Sequence, residues 1–326
     1  MTEETQEGKR IFDGGGRGAT VVLVHGRHFK PRRGELLSLW REALRHGLER
    51  DRPDLAEAFR RLDLRLAYYG DLTNELLRGL GEQYDEELDI ADRYHALAGL
   101  KALPSAKSFK MSRYDRLPGK SALKEFAADV SSGLIGMVGL ADKVIARLSR
   151  DLAEYWNPQS DYAEAVRERV ASVLTAALDD SHRVLLVSHG TGSIVAWDVL
   201  WRLSHEANEG ARIGRGKVDA WLTLGCPLGD ETVKKRLLGA GEPVPRRYPT
   251  NVLTWQNVSA EDDYLCHDKD LANDFRAMME KRLVSSIRDS RIYNLAIRYG
   301  RSNPHSSIGY LVHPRITQIL VDWLQR

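Results

Sequence analysis

Blocks of apolar residues alternate along the chain with stretches whose apolar positions recur at helical spacing. TVVLVHG, residues 20–26, is a continuous apolar run closed by a glycine, the pattern of a strand covered on both faces of a parallel sheet. GELLSLWREALRHGLER follows and places Leu36, Leu39, Trp40, Ala43, Leu44 and Leu48 on one helical stripe. LDLRLAYYGD then predicts a strand ending at Asp71. Residues from about 72 to 157 are mostly helix-compatible, with breaks at Pro104, Pro118 and Pro158, and predict a helical, cap-like insertion. Within it, SSGLIGMVGLADKVIARL reads either as a helix packed on the sheet or as a lid over a site.

From Asp161 the alternation becomes regular. A helix striped by Val166, Val170, Val173 and Leu174 leads to the apolar run Val184–Val187, a small-residue turn at 188–193 and a helix through Leu203. Strands are predicted at 219–225, 251–257 and 291–300, and a last helix starts at Pro314, a favoured first helical position. Apolar strands alternating with amphipathic helices predict an α/β fold with a mostly parallel sheet and flanking helices.

Composition narrows the picture. A chain of 326 residues, 42% hydrophobic and 29% charged, suits one globular α/β domain over 19–326, behind a glycine-rich flexible tail at 1–18. The net charge is +2 with Lys and Arg spread along the chain, so nucleic acid is not an expected partner. The polar opening MTEETQEGKR lacks the apolar core of a signal peptide, and no later run approaches the roughly 20 apolar residues of a membrane span. The expectations are a cytoplasmic location and no transmembrane segment. Cys226 and Cys266 are the two cysteines, too few for a disulfide framework. Cys266, His267 and Asp268 crowd together without a second cluster at zinc spacing, so no metal is expected.

The stretch VLLVSHGTGSIVAWDVL, residues 184–200, carries the most specific signal. Strand, tight turn and helix are the context of a GxSxG nucleophile elbow, yet the central position is Gly190. Four further pieces follow the same logic: VVLVHG before a loop, LTLGCPLG after a strand, WQNVSAEDDY with acids after a strand, and NPHSSIGYLVHP with a histidine before the last helix. In this order the chain, from Thr20 onward, resembles the α/β-hydrolase superfamily, specifically lipase- and esterase-like serine hydrolases. The resemblance implies a nucleophile, acid and base at Gly190, Asp263 and His305, and oxyanion donors from Thr191 and from Gly26 or Arg27. It implies a small acyl or ester ligand and no cofactor.

Glycine at the elbow removes both a strain of about 1–3 kcal/mol and the attacking oxygen. Ser188 and Ser193 are candidate substitutes, and a water held by His305 is another. Ser188 is placed at the strand end and Ser193 on the first helical turn. The function expected is either a carboxylic-ester hydrolase with a displaced nucleophile or activated water, or a catalytically inactive relative that binds an acyl ligand or a protein.

Several assignments stay open at this level. Glu261 and Asp262 compete with Asp263, and His313 competes with His305, although its place beside Pro314 suits capping. His25 and His28 flank the first loop as pocket or loop-fixing residues. The basic run Arg27, Lys30, Arg32 and Arg33 either meets an anionic group or is solvated. A dinucleotide loop would need a glycine where Val195 stands, and no P-loop motif occurs.

Overall fold

The computed structural model describes residues 18–119, 149–205, 216–263, 265–266 and 270–325. Nearly all of the glycine-rich opening stretch and the SSGLIGMVGLADKVIARL segment, read above as a packed helix or lid, lie outside these residues. So do His267 and Asp268.

Six strands form one parallel sheet: β1 (Ala19–Val24), β2 (Asp63–Ala67), β3 (Arg183–His189), β4 (Val218–Leu224), β5 (Val252–Ala260) and β6 (Ser286–Ile292). Their order is β2-β1-β3-β4-β5-β6. Parallel neighbours require long crossovers, and helices supply them. The site is framed by α1 (Arg33–Asp51), α2 (Gly70–Gly79), α3 (Glu86–Lys101), α4 (Tyr162–Asp180), α5 (Gly192–His205), α6 (Ser307–Leu311) and α7 (Pro314–Leu324). The result is an α/β fold.

Alternation across the strands explains why β1 and β3 are apolar throughout. Val21, Leu23, Leu185 and Val187 pack on one face with Leu36, Trp40 and Leu44 of α1 and with residues of α3, α6 and α7. Val22, Val24, Val184 and Leu186 pack on the other with Val166 and Val170 of α4 and Ile194 and Trp197 of α5. Burying one such side chain contributes about 1.5–3 kcal/mol.

Two boundaries differ from expectation. The strand ending at Asp71 stops at Ala67, and Asp71 lies in α2, exposed and paired with Arg169 at 3.1 Å. The strand expected at 291–300 is instead β6, which begins at Ser286; Ile297–Arg298 and Arg301–Ser302 form a small antiparallel pair, β7 and β8. β6 is an edge strand with Arg288 and Arg291 exposed, so its sequence lacks the apolar run that marks the central strands.

β1 pairs with β2 on one side and β3 on the other, so the connections leaving β1 and β3 run in opposite directions at the sheet's carboxyl edge. A crevice opens where strand order reverses in this way. The loop Gly26–Pro31 and the Gly190 turn stand on its two sides.

Candidate active site

The turn after β3 is built by backbone. Gly190 has φ +56°, its N–H donates to Leu224 O at 2.9 Å, and its carbonyl accepts from Ser193 N at 3.0 Å. This left-handed conformation favours glycine. A Cβ built on Gly190 points at one residue among those described: His305, with Nε2 2.9 Å and Cε1 3.1 Å away. The imidazole thus faces the place where an elbow side chain would begin.

Asp263 follows β5 by three residues and is buried. Its Oδ1 and Oδ2 both lie 3.0 Å from His305 Nδ1. Tyr310 Oη donates to Oδ2 at 2.7 Å and Leu265 N to Oδ1 at 3.1 Å, while Ala260 N donates to Tyr310 Oη at 2.7 Å. An ionised carboxylate only accepts, so His305 donates from Nδ1 and turns its Nε2 edge toward Gly190. Burial opposes ionisation of Asp263, but the His305 ring and these hydrogen bonds outweigh it and hold the carboxyl below its ordinary value.

The competing acids turn elsewhere. Tyr114 Oη donates to Asp262 Oδ2 at 3.0 Å and to the Glu261 carbonyl at 3.1 Å. His313 caps α7, accepting from Arg315 N at 3.0 Å.

Around the pair, three residues do work that the sequence pattern had not marked. His189, at the end of β3, donates from Nε2 to the His305 carbonyl at 2.9 Å, and the two rings lie 4.5 Å apart. Burial, reinforced by His305, keeps His189 far below its usual basicity, so it is neutral. Gly225, with φ +57°, lies directly under the pair: a Cβ there would sit 2.7 Å from Asp263 Oδ2 and 3.2 Å from His305 Nδ1. Tyr310 completes the set, five residues beyond His305 on α6. The LTLGCPLG piece contains Gly225, but only its distance to Asp263 reveals why a side chain is absent.

Ser188 and Ser193 do not join His305. Their hydroxyls are fully buried and 2.9 Å from each other, and Trp221 Nε1 donates to Ser188 Oγ at 2.9 Å. Gly26 and Thr191 do meet: a Cβ on Gly26 would lie 2.9 Å from His189 O and 3.5 Å from Thr191 N. Arg27 and Thr191 line a small cavity of about 20 Å³ with Tyr69, Tyr155 and Tyr162.

The first loop is held by His25. Its Nδ1 donates to Gly26 O at 2.9 Å, its Nε2 accepts from Tyr69 N at 3.2 Å, and its ring stacks on Tyr69. Burial, then Lys30, lowers His25 to a pKa of about 3. His28 takes φ +65° and donates its N–H to Asp151 Oδ2 at 2.7 Å. Lys30 is buried, against the reading of a solvated basic run, and Nζ donates to the carbonyls of Arg27, His28 and Phe29. Burial and the nearby Arg93 bring its pKa down to about 7. Arg32 pairs with Glu86 at 3.1 Å, and Arg33 is exposed.

Cys226 and Cys266 form no disulfide and are buried, and burial pushes the Cys226 thiol up to about 12. No helix among the described residues is long and apolar enough to cross a membrane. Compared with models of known protein families and with the curated proteins, the chain matches none.

Proposed function

We propose that the protein is a carboxylic-ester hydrolase of the α/β-hydrolase type in which the Asp263–His305 pair activates a water in place of the missing serine. The observation that carries this reading is the hydrogen-bonded pair whose Nε2 edge faces the Gly190 turn. His305 Nε2 takes a proton as the water oxygen attacks the ester carbonyl carbon. The carbonyl oxygen becomes an alkoxide directed at the backbone of Gly26, Arg27 and Thr191. Collapse breaks the bond to the leaving alcohol, which receives the proton from His305, giving an acid and an alcohol. Such general-base catalysis contributes about 10²–10⁴-fold.

A second reading, a pocket that binds an acyl compound without turning it over, is supported by the glycine itself and by the closure of Ser188 and Ser193 against each other.

The test compares the protein with its Gly190→Ser and His305→Ala variants, using a fluorophosphonate probe and p-nitrophenyl esters of several chain lengths. Water activation predicts turnover by the protein as it stands, no fluorophosphonate label, and loss of turnover in His305→Ala. A label on Ser188 or Ser193 overturns it. Activity appearing only in Gly190→Ser replaces it with the binding reading.

A further inference from the structure

Consecutive carbonyls are pinned by buried side chains at the residue that carries the base. Asn294 Nδ2 donates to Pro304 O at 2.9 Å and to Ser306 O at 2.9 Å, on either side of His305, and the His305 carbonyl between them is the one that accepts from His189 Nε2. Pro304 and His305 lie in neither helix nor strand, so no regular ladder fixes their carbonyls. Asn294 stands two residues beyond β6 and is completely buried. Its oxygen turns back on its own segment, Oδ1 accepting from Ala296 N at 3.0 Å. A primary amide carries two donors at one end and an acceptor at the other, so both Nδ2 hydrogens and the oxygen are used. Turning the amide over would set its oxygen against two carbonyls.

The same amide seats α6. Ser306, whose carbonyl it holds, is the N-cap of that helix, and a Cβ on Gly309 would run into Asn294 Oδ1, so α6 packs on the amide through a residue without a side chain. Tyr310, the next residue, donates to Asp263 Oδ2. One buried side chain thus holds the backbone that carries the imidazole and the helix that carries the phenol on its carboxylate partner.

We infer that Asn294 is a positioning residue for the Asp263–His305 pair, keeping the imidazole at the Gly190 turn by clamping the chain on both sides of it. Its importance for ester turnover rests on the hydrolase reading, whereas its hold on the imidazole does not. A displacement of about 1 Å in a reacting group can cost about a hundredfold in rate.

The test uses the full chain with ¹⁵N-labelled histidine and two substitutions. Asn294→Ala removes the amide, while Asn294→Asp keeps its shape and the acceptor for Ala296 N but cannot donate to both carbonyls. The readout is the proton resonance of His305 Nδ1–H, identified by its loss in His305→Gln, together with kcat and KM for a p-nitrophenyl ester. The expected result is a shifted or exchange-broadened resonance in both variants, with kcat lowered about tenfold to a hundredfold and KM little changed. Ser204→Ala removes a hydrogen bond to Leu200 O and one from Thr250 N at the far end of α5, and leaves both the resonance and kcat as they are. A native resonance in Asn294→Asp, or one moved equally by Ser204→Ala, overturns the proposal. So does an unchanged kcat in both Asn294 variants of a chain that turns over the ester. A chain that hydrolyses no ester, but whose His305 resonance follows Asn294, refutes the hydrolase reading and retains the clamp.

Discussion

The two halves of the site, one on each side of the Gly190 turn, are built in contrasting ways. On the base side a buried carboxylate, an imidazole and a phenol are joined by hydrogen bonds of 2.7–3.1 Å, with two backbone N–H groups added. On the turn side the candidate hydroxyls satisfy each other, and the apex has no side chain. Burying a carboxylate beside a histidine carries a desolvation penalty that good geometry must offset, whereas a glycine turn needs no such support. The difference teaches that the polar network of the site is concentrated in the base half, where the proposed reaction would draw its base, while the turn half is closed on itself.

The largest effect is expected from Asp263→Asn, which keeps the shape but lets His305 take the wrong tautomer. Ester turnover falls about 10⁴-fold, or about 5 kcal/mol in barrier, as it does when a triad loses this carboxylate. Unchanged steady-state rates would break the link between the base half and catalysis.

Acid comes next. His25, His189 and His313 are buried with lowered basicity, so below the ordinary histidine pKa of 6.5 the unfolded chain binds protons that the folded chain refuses. Stability therefore falls as pH drops, by about 4 kcal/mol per pH unit for three groups. Asp198, raised by burial to about 6, acts with the opposite sign between its ordinary value and 6 and offsets about one proton's worth. Urea midpoints measured at pH 7 and 5 check this; a higher midpoint at pH 5 would contradict it.

Gly225→Ala sharpens the comparison from beneath. It forces a side chain into a left-handed backbone and against Asp263, so stability drops by about 1–3 kcal/mol. Turnover should fall further than the same loss of stability does elsewhere, read as kcat at a temperature where the variant is fully folded. Equal activity would mean that the pair tolerates displacement.

Ser193→Ala should be the mildest change. One hydrogen bond inside the turn is lost, about 1 kcal/mol by thermal unfolding, and kcat/KM stays put. A collapse of turnover would return the nucleophile to the turn half.

That Gly190, Asp263 and His305 come together was legible because each sits at a fixed step from a strand end or before a helix, where local pattern carries the information. Among three consecutive acids, only the end of β5 decides which one faces the imidazole: Asp262 instead takes a positive φ and bonds Tyr114. Trp40 reads as core in the sequence because its helical stripe is shared with Leu36 and Leu44, and nothing local shows that it also borders a cavity beside His305. Arg93 and Arg298 are brought together from distant parts of the chain by Asp89, which pairs with both, a relation no window on the chain contains. β6 was displaced for a similar reason, since an edge strand with exposed arginines resembles a loop. The parallel sheet was legible where strands were covered on both faces.

The base half also carries a consequence for how the protein is made. Asp263 and His305 are 42 residues apart, and His189 reaches the His305 carbonyl across 116. Contacts of such separation form only after long loops have closed, so they arrive late in folding. The turn half, by contrast, uses shorter separations: Ser193 N reaches the Gly190 carbonyl three residues back, and Trp221 reaches Ser188 across 33. A chain still being synthesised can therefore shape the Gly190 turn before His305 exists, and the imidazole pair forms only once the last helices have docked.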